Sequence, residues 1–535
     1  TETGDLVELS GLAEDHPVRA RIGSSSDTRI GSSCEYYERC FVTRMRQEAE
    51  RARLVIVNHH LFFADLALRG PHPGRVLPDY DAVVFDEAHQ LEDIATEFFG
   101  VRVSRGKVDR FVEDTRRAVA LRRGRTGSGT ASSGEAVLQQ LLAENVRFWS
   151  CLGRSLGDAE GRVNVERDVF TGEVARAWHA LDTALEAVGA LAATEAARPA
   201  SGAAGSPAGR EALELAERRA RTLRDTLATI VEGGPGRVTW LEQGSGQAVL
   251  SSSPVDVSEM LRERVFERVG SVVMTSATLS DLDQGALDAD AGSSFGYVRS
   301  RLGLDRADFV VDELRIESPF DFAQNTLFYV PEDLPEPNDP SFLDKAAGRI
   351  VELVELTHGG AFVLTTSLRS MRALHRLLSP RLHGRRSFVQ GQAPKPALLS
   401  AFRADGRAVL VATMGFWEGV DIAGSALRLV VLEKVPFAVP SDPLLQARAA
   451  RLEAEGKSPF AELSVPAAAI ALKQGFGRLV RSAEDTGIVA LLDRRVLRRG
   501  YGARLLGALP ASRRAHHMSD VCAFAARVWG AAPRS

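Results

Sequence analysis

Cysteine is scarce in this sequence, and long apolar runs are absent. The 535 residues include four cysteines, Cys34, Cys40, Cys151 and Cys522, too few and too scattered for the disulfide framework of a small secreted protein. No apolar run reaches the roughly 18 to 20 residues that span a bilayer. The first residues also lack the apolar segment of a signal peptide. These absences predict a cytoplasmic protein that does not associate with membranes.

Neither sign of charge dominates the sequence. Its 66 lysines and arginines against 70 aspartates and glutamates give a formal net charge of −4. That balance argues against the wholly basic surface of a small nucleic-acid-binding module, but it is compatible with a local basic channel. Hydrophobic residues at 44% and charged residues at 25% are typical of globular proteins. At roughly 150 residues per domain, the length predicts three or four domains.

Short apolar runs bounded by polar residues predict the strands of parallel sheets. Such runs occur at 54–57, 82–85, 271–275, 361–364, 408–412, 427–432 and 487–492, whereas 101–241 has the Ala, Arg, Leu and Glu content of helices. This alternation predicts an α/β fold with two parallel-sheet lobes and a helical insertion in the first lobe. The predicted units are a cysteine-containing region at 1–50, parts of the first lobe at 51–100 and 242–330, the insertion at 101–241 and the second lobe at 331–535.

The first motif with chemical content is Asp86-Glu87-Ala88-His89, directly after the apolar run that ends at Phe85. Side chains at the carboxyl end of a parallel strand face the crevice where such sheets bind ligands. In a nucleotide hydrolase, this arrangement lets Asp86 hold Mg²⁺ through water while Glu87 orients and deprotonates the attacking water. The alternative is an ordinary acidic turn in which Asp86 caps a helix.

Two further motifs follow predicted strands. The segment from Thr275 to Thr278 carries small hydroxyl residues that can hydrogen-bond to the acids of a nucleotide site, although a plain Ser/Thr turn has the same composition. Residues 415–421 combine glycines with acids. The glycines permit close backbone approach to a ligand, and Glu418 and Asp421 can bond a ribose hydroxyl or hold arginines.

The last motif, Gln474 to Arg481, contains Arg478 and Arg481, which share one face if the segment is helical. Two guanidiniums on one face suit a γ-phosphate whose charge must be stabilised in the transition state. For an isolated pair of arginines, a solvated helix face is the ordinary interpretation.

Together these motifs resemble those of a superfamily-two helicase, and in detail those of the DinG branch of the XPD-like DNA helicases. The resemblance rests on Asp86–His89, Thr275–Thr278, Ser318–Asp321, Glu418–Asp421 and Gln474–Arg481, and on Val55–Phe62 ahead of the DEAH residues. It spans about residues 29–509, nearly the whole chain. The four motifs at 86–89, 275–278, 415–421 and 474–481 occur in a fixed order, each at the end of a predicted element. Such a set is poorly explained as ordinary turns.

The resemblance implies two RecA-like lobes and an arch-like insertion that helps to enclose the DNA strand. It also implies a monomer that uses ATP and Mg²⁺, translocates 5′ to 3′ on single-stranded DNA and unwinds duplex DNA in repair or replication-associated processing. By the same resemblance, the catalytic residues are Asp86, Glu87, His89, Gln474, Arg478 and Arg481, the ATP-binding residues Glu418, Gly419 and Asp421, the coupling residues Thr275, Ser276 and Thr278, and the nucleic-acid-binding residues Thr365, Thr366 and Ser367.

The sequence departs from this family in two places. The glycine-rich P-loop that cradles the phosphates is not among the 535 residues, and the first residue is Thr1, which predicts a missing upstream part rather than a dead enzyme. Without that part, we expect this chain alone to be inactive. Cys34 and Cys40 reproduce the last interval of the family's iron–sulfur cysteines, but the preceding cysteine position is occupied by Arg29. Because a cluster normally takes four thiolates, we expect that this chain has lost it.

Two other functions stay open on the sequence alone. One is a non-catalytic nucleic-acid-binding remnant in which lobe closure no longer hydrolyses ATP. The other is an RNA-directed DEAH motor, which differs from a DNA helicase in the nucleic acid that stimulates hydrolysis.

Overall fold

The structure is a computed structural model that describes most of the chain. The described residues are 2–8, 17–23, 34–69, 75–123, 131–157, 161–198, 207–244, 247–280, 295–306, 310–358, 360–417, 420, 422, 424–477, 479–480, 482 and 484–530. Among the helices in these ranges, none has both the length and the apolar character of a membrane span.

Strands and helices alternate along both ends of the chain, with long helices between them. The strands are β1 Ala82–Phe85, β2 Val101–Ser104, β3 Gly161–Asn164, β4 Arg237–Gly244, β5 Gln247–Pro254, β6 Ser271–Met274, β7 Thr326–Tyr329, β8 Ala361–Thr365, β9 Ser387–Val389, β10 Val409–Thr413, β11 Leu429–Leu432, β12 Gly487–Leu491 and β13 Arg513–Ala515. The helices are α1 Pro17–Ile22, α2 Phe41–Arg51, α3 His59–Leu68, α4 Leu91–Phe98, α5 Arg105–Arg123, α6 Ala131–Leu156, α7 Gly172–Ala197, α8 Pro207–Glu232, α9 Ser258–Leu261, α10 Gly296–Leu302, α11 Phe322–Asn325, α12 Phe342–Thr357, α13 Leu368–Leu378, α14 Lys395–Asp405, α15 Pro443–Ala454, α16 Val465–Gly477, α17 Arg495–Arg498, α18 Tyr501–Gly507 and α19 Met518–Trp529.

The second lobe is built on a parallel sheet in the order β13-β7-β12-β11-β8-β10-β9. Every residue of β7, β8, β11 and β12 is buried, as expected for strands that are covered by helices on both faces. Successive side chains of β8 therefore enter different cores: Phe362 and Leu364 join one cluster, and Ala361 and Val363 join the other. This lobe confirms the predicted α/β class.

The first lobe contributes β1 and β6, which pair in parallel with Phe85 opposite Met274. Helices α3 and α4 pack against them through a core that includes Phe62, Phe63 and Leu91. Because β1 and β6 end level with each other, the residues that follow them, Asp86 and Thr275, lie side by side.

The insertion contains more than the predicted helices. Helices α5 to α8 share one core, but β2, β5, β4 and β3 form an antiparallel sheet beside them. In β4, Leu241 joins the helical core, while Val238 and Trp240 pack towards Leu444 and Ala447 of α15. Both faces of this strand are thus covered, and its apolar side chains follow no simple helical or alternating pattern in the sequence.

Two predicted domain boundaries and one predicted strand differ from the structure. The boundary at 241 falls inside β4, and the boundary at 330 falls after β7, although β7 pairs with β12 and β13 of the second lobe. The apolar run at 54–57 is not a strand, and Leu54 and Ile56 are 79% and 89% exposed. An apolar run becomes a strand only when another strand pairs with it, and within the described residues β1 pairs only with β6.

Candidate active site

Two backbone hydrogen bonds join the segments that follow β1 and β6. The amide of Thr275 donates to the carbonyl of Phe85 at 2.8 Å, and the amide of Ala88 donates to the carbonyl of Thr275 at 3.0 Å. The acidic turn 86–89 is thereby fixed against the hydroxyl-rich turn 275–278, at the carboxyl end of the strands, where open α/β sheets bind their ligands.

Asp86 is exposed at the tip of β1. Its Oδ1 accepts from the amide of Glu87 at 3.0 Å and from the Thr275 hydroxyl at 3.1 Å, which orients the carboxylate. An oriented, accessible carboxylate fits a Mg²⁺ site, because Mg²⁺ keeps several of its waters and is otherwise held by substrate phosphates. Asp86 is the residue that would hold the ion here.

Glu87 adopts the left-handed backbone conformation, with φ 49° and ψ 46°. This conformation costs a residue other than glycine on the order of 1–3 kcal/mol and persists where the surroundings impose it. The Glu87 side chain is 42% exposed, and its Oε2 accepts from the Ser276 hydroxyl at 3.0 Å. The turn therefore presents a partly solvated carboxylate whose direction is set by Ser276.

His89 links this carboxylate to the second lobe. Its Nδ1 lies 2.9 Å from the Ser276 hydroxyl and 3.3 Å from that of Thr278, while its Nε2 is within hydrogen-bonding distance of the Gln474 amide nitrogen on α16. With the Gln474 side-chain amide oriented so that its NH₂ faces this nitrogen, Nε2 accepts, and the matching neutral tautomer carries its proton on Nδ1. The result is a chain of donors from Gln474 through His89 and Ser276 to Glu87.

His59 is a neighbour of the site that was not among the predicted site residues. Asn58 caps α3 by accepting from the amide of Leu61 at 2.8 Å, and this places His59 in the first turn, with its ring 6.0 Å from that of Phe85. Burial lowers the pKa of His59, opposed by a hydrogen bond with the backbone of Asp86. In the sequence, His59 lies within Val55–Phe62, one of the segments on which the family resemblance rests.

The predicted nucleic-acid contacts begin at Thr365, the last residue of β8, and this residue is not at the surface. Its side chain is fully buried, and its hydroxyl donates to the carbonyl of Ser367 at 3.1 Å. Ser367 caps α13 by accepting from the amide of Ser370 at 3.1 Å, and the amide of Thr366 donates to Glu433 at 3.3 Å. Thr365 thus shapes the turn, which leaves Thr366 and Ser367 half-buried at its edge.

Five of the predicted site residues lie outside the described residues: Glu418, Gly419, Asp421, Arg478 and Arg481. Their predicted roles stay predictions. The described residues beside the two arginines, Leu479 and Val480, are both buried in the core of the second lobe.

A Gly-Lys-Ser triplet occurs at residues 456–458 but does not form a P-loop. It follows the C-terminal end of α15, and Lys457 pairs with Glu455 at 2.8 Å. The P-loop requires a further glycine five residues before the Gly-Lys pair, and Arg451 occupies that position.

The described residues do not fit an iron–sulfur cluster. Cys40 lies at the N-terminal cap of α2, and the carbonyl of Cys34 accepts from the amide of Tyr37 at 2.9 Å. Within the part of the chain that the structure describes, no three His, Cys, Asp or Glu side chains are grouped closely enough to hold a metal ion. Arg29 lies outside the described residues.

We therefore expect the protein, purified anaerobically, to contain far fewer than the four irons of a complete cluster. Cys34 and Cys40 supply only half of the thiolates that such a cluster takes. Iron and acid-labile sulfide analysis measures this directly. About four irons per chain, lost in a Cys34→Ser variant, would show that further ligands complete a site.

The sequence comparisons show the family, and a structural comparison shows the fold. Residues 350–512 match the family model described as Helicase C-terminal domain. The ATP-dependent DNA helicase YoaA of Escherichia coli is 33% identical over 527 residues, which cover 98% of this chain and 77% of that protein. The chain belongs to the YoaA and DinG family of ATP-dependent DNA helicases.

A second relative supports this placement. The ATP-dependent helicase DinG of Mycobacterium tuberculosis is 30% identical over 517 residues, which cover 95% of this chain and 71% of that protein. A solved XPD helicase structure covers 82% of this chain and 70% of its own, with a TM-score of 0.50 and 15% identity. The structural likeness shows that this helicase shares the XPD fold, as the resemblance of the motifs implied.

The donor chain predicts a strong effect of Ser276→Ala on hydrolysis. This change removes the hydroxyl that donates to Glu87, and a hydrogen bond to a charged group contributes enough to change a rate about 10-fold or more. We expect ATP turnover to fall by that factor with little change in DNA affinity. The matched control is Ser280→Ala. Ser280 is a buried serine of the same segment, but its hydroxyl takes no part in the donor chain from Gln474 to Glu87. Equal turnover in both variants would remove Ser276 from the mechanism.

Proposed function

We propose that this helicase couples ATP hydrolysis to 5′ to 3′ translocation on single-stranded DNA, and that it unwinds duplex DNA in this way as a cytoplasmic monomer in repair or replication-associated processing. The observation that carries the proposal is the donor chain from Gln474 to Glu87. It gives the second lobe a direct hydrogen-bonded path to the carboxylate that would activate water.

In the proposed mechanism, Asp86 would hold Mg²⁺, and the bound ion would neutralise charge at the phosphates of ATP. Glu87 accepts a proton from the attacking water, and its partly exposed side chain leaves room for that water. Ser276 keeps the carboxylate aimed, and His89 keeps Ser276 oriented. Movement of Gln474 with the second lobe would disturb this order, so hydrolysis would depend on how the lobes are closed.

The nucleic-acid surface that we propose lies at the carboxyl edge of the second sheet. There a groove of about 410 Å³ is lined by Leu368, Met371, Arg372, Val389, Gln390, Gly391 and Gln392. Gln390 also accepts from the amide and hydroxyl of Thr413, each at 2.9 Å, which ties the groove to the strand before the 415–421 motif. The guanidinium of Arg372 and the side-chain amides of Gln390 and Gln392 suit phosphate contacts that ignore base sequence, as a motor on any sequence requires.

The direction of movement is tested with two tailed duplexes. The proposal expects ATP-dependent unwinding of a duplex with a 5′ single-stranded tail and little unwinding of the same duplex with a 3′ tail. The measurement is strand separation at equal DNA and protein concentrations, with a non-hydrolysable ATP analogue as the control. Preference for the 3′ tail would reverse the proposed polarity, and no unwinding of either would favour the nucleic-acid-binding remnant.

A further inference from the structure

Arg448 of α15 is a buried cation whose partners all belong to the first lobe. Its side chain is 9% exposed. Its Nε donates to the carbonyl of Val255 at 3.1 Å, and its Nη2 lies 3.0 Å from the Thr96 hydroxyl and 2.7 Å from Glu92 Oε1. A buried guanidinium is tolerated only where such partners replace its lost water. The second lobe therefore buries a guanidinium whose stabilising partners are supplied by the first lobe.

Glu92 is shared between the two lobes. Its side chain is 12% exposed, and Arg301 of α10 in the first lobe binds it as well, with Nε 2.9 Å from Oε2. The other acid near Arg448 is Asp93, whose Oδ1 is 3.8 Å from Nη1 and whose side chain is 83% exposed. Glu92 is thus the carboxylate that holds the buried end of Arg448, and Arg301 fixes that carboxylate from the other side.

The position of Glu92 connects this cluster to the catalytic turn. Glu92 lies in the first turn of α4, three residues after His89, and Thr96 lies one turn further along the same helix. His89 is held by Gln474 of α16. Since α15 and α16 are consecutive helices of the second lobe, that lobe contacts the short segment 89–96 at two points.

Apolar contacts keep α15 against the first lobe beside Arg448. Leu444 and Ala447 pack on Val238, Trp240 and Val255 of the insertion sheet and its end. Arg448 is therefore not an isolated charge at a loose contact. It lies at the inner edge of a packed interface, where a change in the seating of α15 would move α4.

We propose that Arg448 is a positioning residue for ATP hydrolysis. Through Glu92 and Thr96 it sets the orientation of α4, and with it the turn that presents Glu87, relative to the second lobe. This inference rests on the proposed function, because it concerns the hydrolysis step of that function. Helix α15, which contains none of the sequence motifs, would thereby align the first-lobe carboxylates with the second-lobe groups.

The test compares Arg448→Met with Arg451→Met in ATP turnover at saturating single-stranded DNA. A misplacement of about 1 Å can cost roughly 100-fold in rate, and we expect Arg448→Met to lower kcat about 10-fold to 100-fold while KM for ATP changes less than about threefold. Arg451 is the matched control: it lies one turn along α15, its side chain is 48% exposed, and it pairs with Asp256 at 2.6 Å. Exposed pairs of this kind contribute little, so its turnover should stay near that of the wild type.

Three further variants separate positioning from loss of folding: Thr96→Val, Glu92→Gln and the Glu92→Gln/Arg448→Met double variant. Thr96→Val removes one contact of Arg448, and the hydrogen bond from the Thr96 hydroxyl to the carbonyl of Glu92 at 2.7 Å, without leaving a charge unpaired. It should lower kcat in the same direction but less, in protein that remains folded. In the Glu92→Gln/Arg448→Met double variant, the loss should be smaller than the product of the two single losses, since both act through one contact.

The outcomes are distinct. Wild-type turnover in folded Arg448→Met and Thr96→Val would overturn this inference and leave the proposed function intact. Turnover losses that only match the fraction of unfolded protein, or that multiply in the double variant, would also overturn it. Absence of DNA-stimulated turnover in the wild type would overturn the proposed function, and this inference with it.

Discussion

Glu87→Gln should reduce ATP turnover at saturating single-stranded DNA by about 100-fold to 10,000-fold, the range over which positioned general bases contribute. The amide keeps the shape of the side chain and can still accept from Ser276, but it cannot take a proton from water. ATP and DNA affinities should therefore stay close to those of the wild type. The measurement is steady-state hydrolysis beside equilibrium binding of a fluorescent ATP analogue and of labelled DNA.

The matched control is Asp81→Asn. Asp81 is an exposed acid at the opposite end of β1, so the change removes the same charge from the same strand without touching the donor chain. Its turnover should equal that of the wild type. A Glu87→Gln protein that retained near-wild-type turnover would exclude Glu87 as the base, and the left-handed turn would then need another explanation.

Arg478→Ala and Arg481→Ala should each lower turnover at saturating DNA on the order of 1,000-fold, if these guanidiniums reach the γ-phosphate from the second lobe. A residue that contacts only the DNA backbone would instead lower DNA affinity and flatten its salt dependence. Two assays separate these roles: turnover at saturating DNA, and DNA affinity across salt without ATP.

Arg218→Ala and Arg221→Ala provide the comparison, because this pair has the same spacing on α8 and both residues are exposed. They lie on an ordinary solvated helix face. Turnover at saturating DNA and DNA affinity across salt should therefore both equal those of the wild type. If the Arg478 and Arg481 variants kept full turnover and lost only DNA affinity, the segment 474–481 would be a DNA-contact face. The second lobe would then have no assigned group at the phosphates.

The fold class followed from the sequence because buried parallel strands are apolar on both faces. That pattern is strong at Val409–Thr413 and Leu429–Leu432. A continuous apolar run of this kind can be read from the sequence without knowing which elements cover the strand. The antiparallel sheet of the insertion was missed because β4 is covered on both sides by different partners, the helices on one face and α15 on the other. Such a strand has neither a clean alternation nor a continuous apolar run.

The site was predictable only where it follows directly from the ends of parallel strands. The residues at the ends of β1 and β6 could be placed together, since parallel strands end at the same edge. The left-handed conformation of Glu87 has no sequence signal, as glutamate gives no hint of it. Arg448 was missed for a different reason: its partners lie 193 and 352 residues away in the chain, and an arginine in a charged helix predicts a solvated face.

The most direct test of the central claim is the rate of ATP hydrolysis by the full-length protein with no nucleic acid, with single-stranded DNA and with single-stranded RNA of the same sequence. The account predicts a low rate alone, a marked increase with DNA and little increase with RNA. Stimulation by RNA alone would make the protein an RNA-directed motor. A rate of hydrolysis that neither nucleic acid changes would contradict the claim that closure of the second lobe acts on Glu87 through Gln474 and His89.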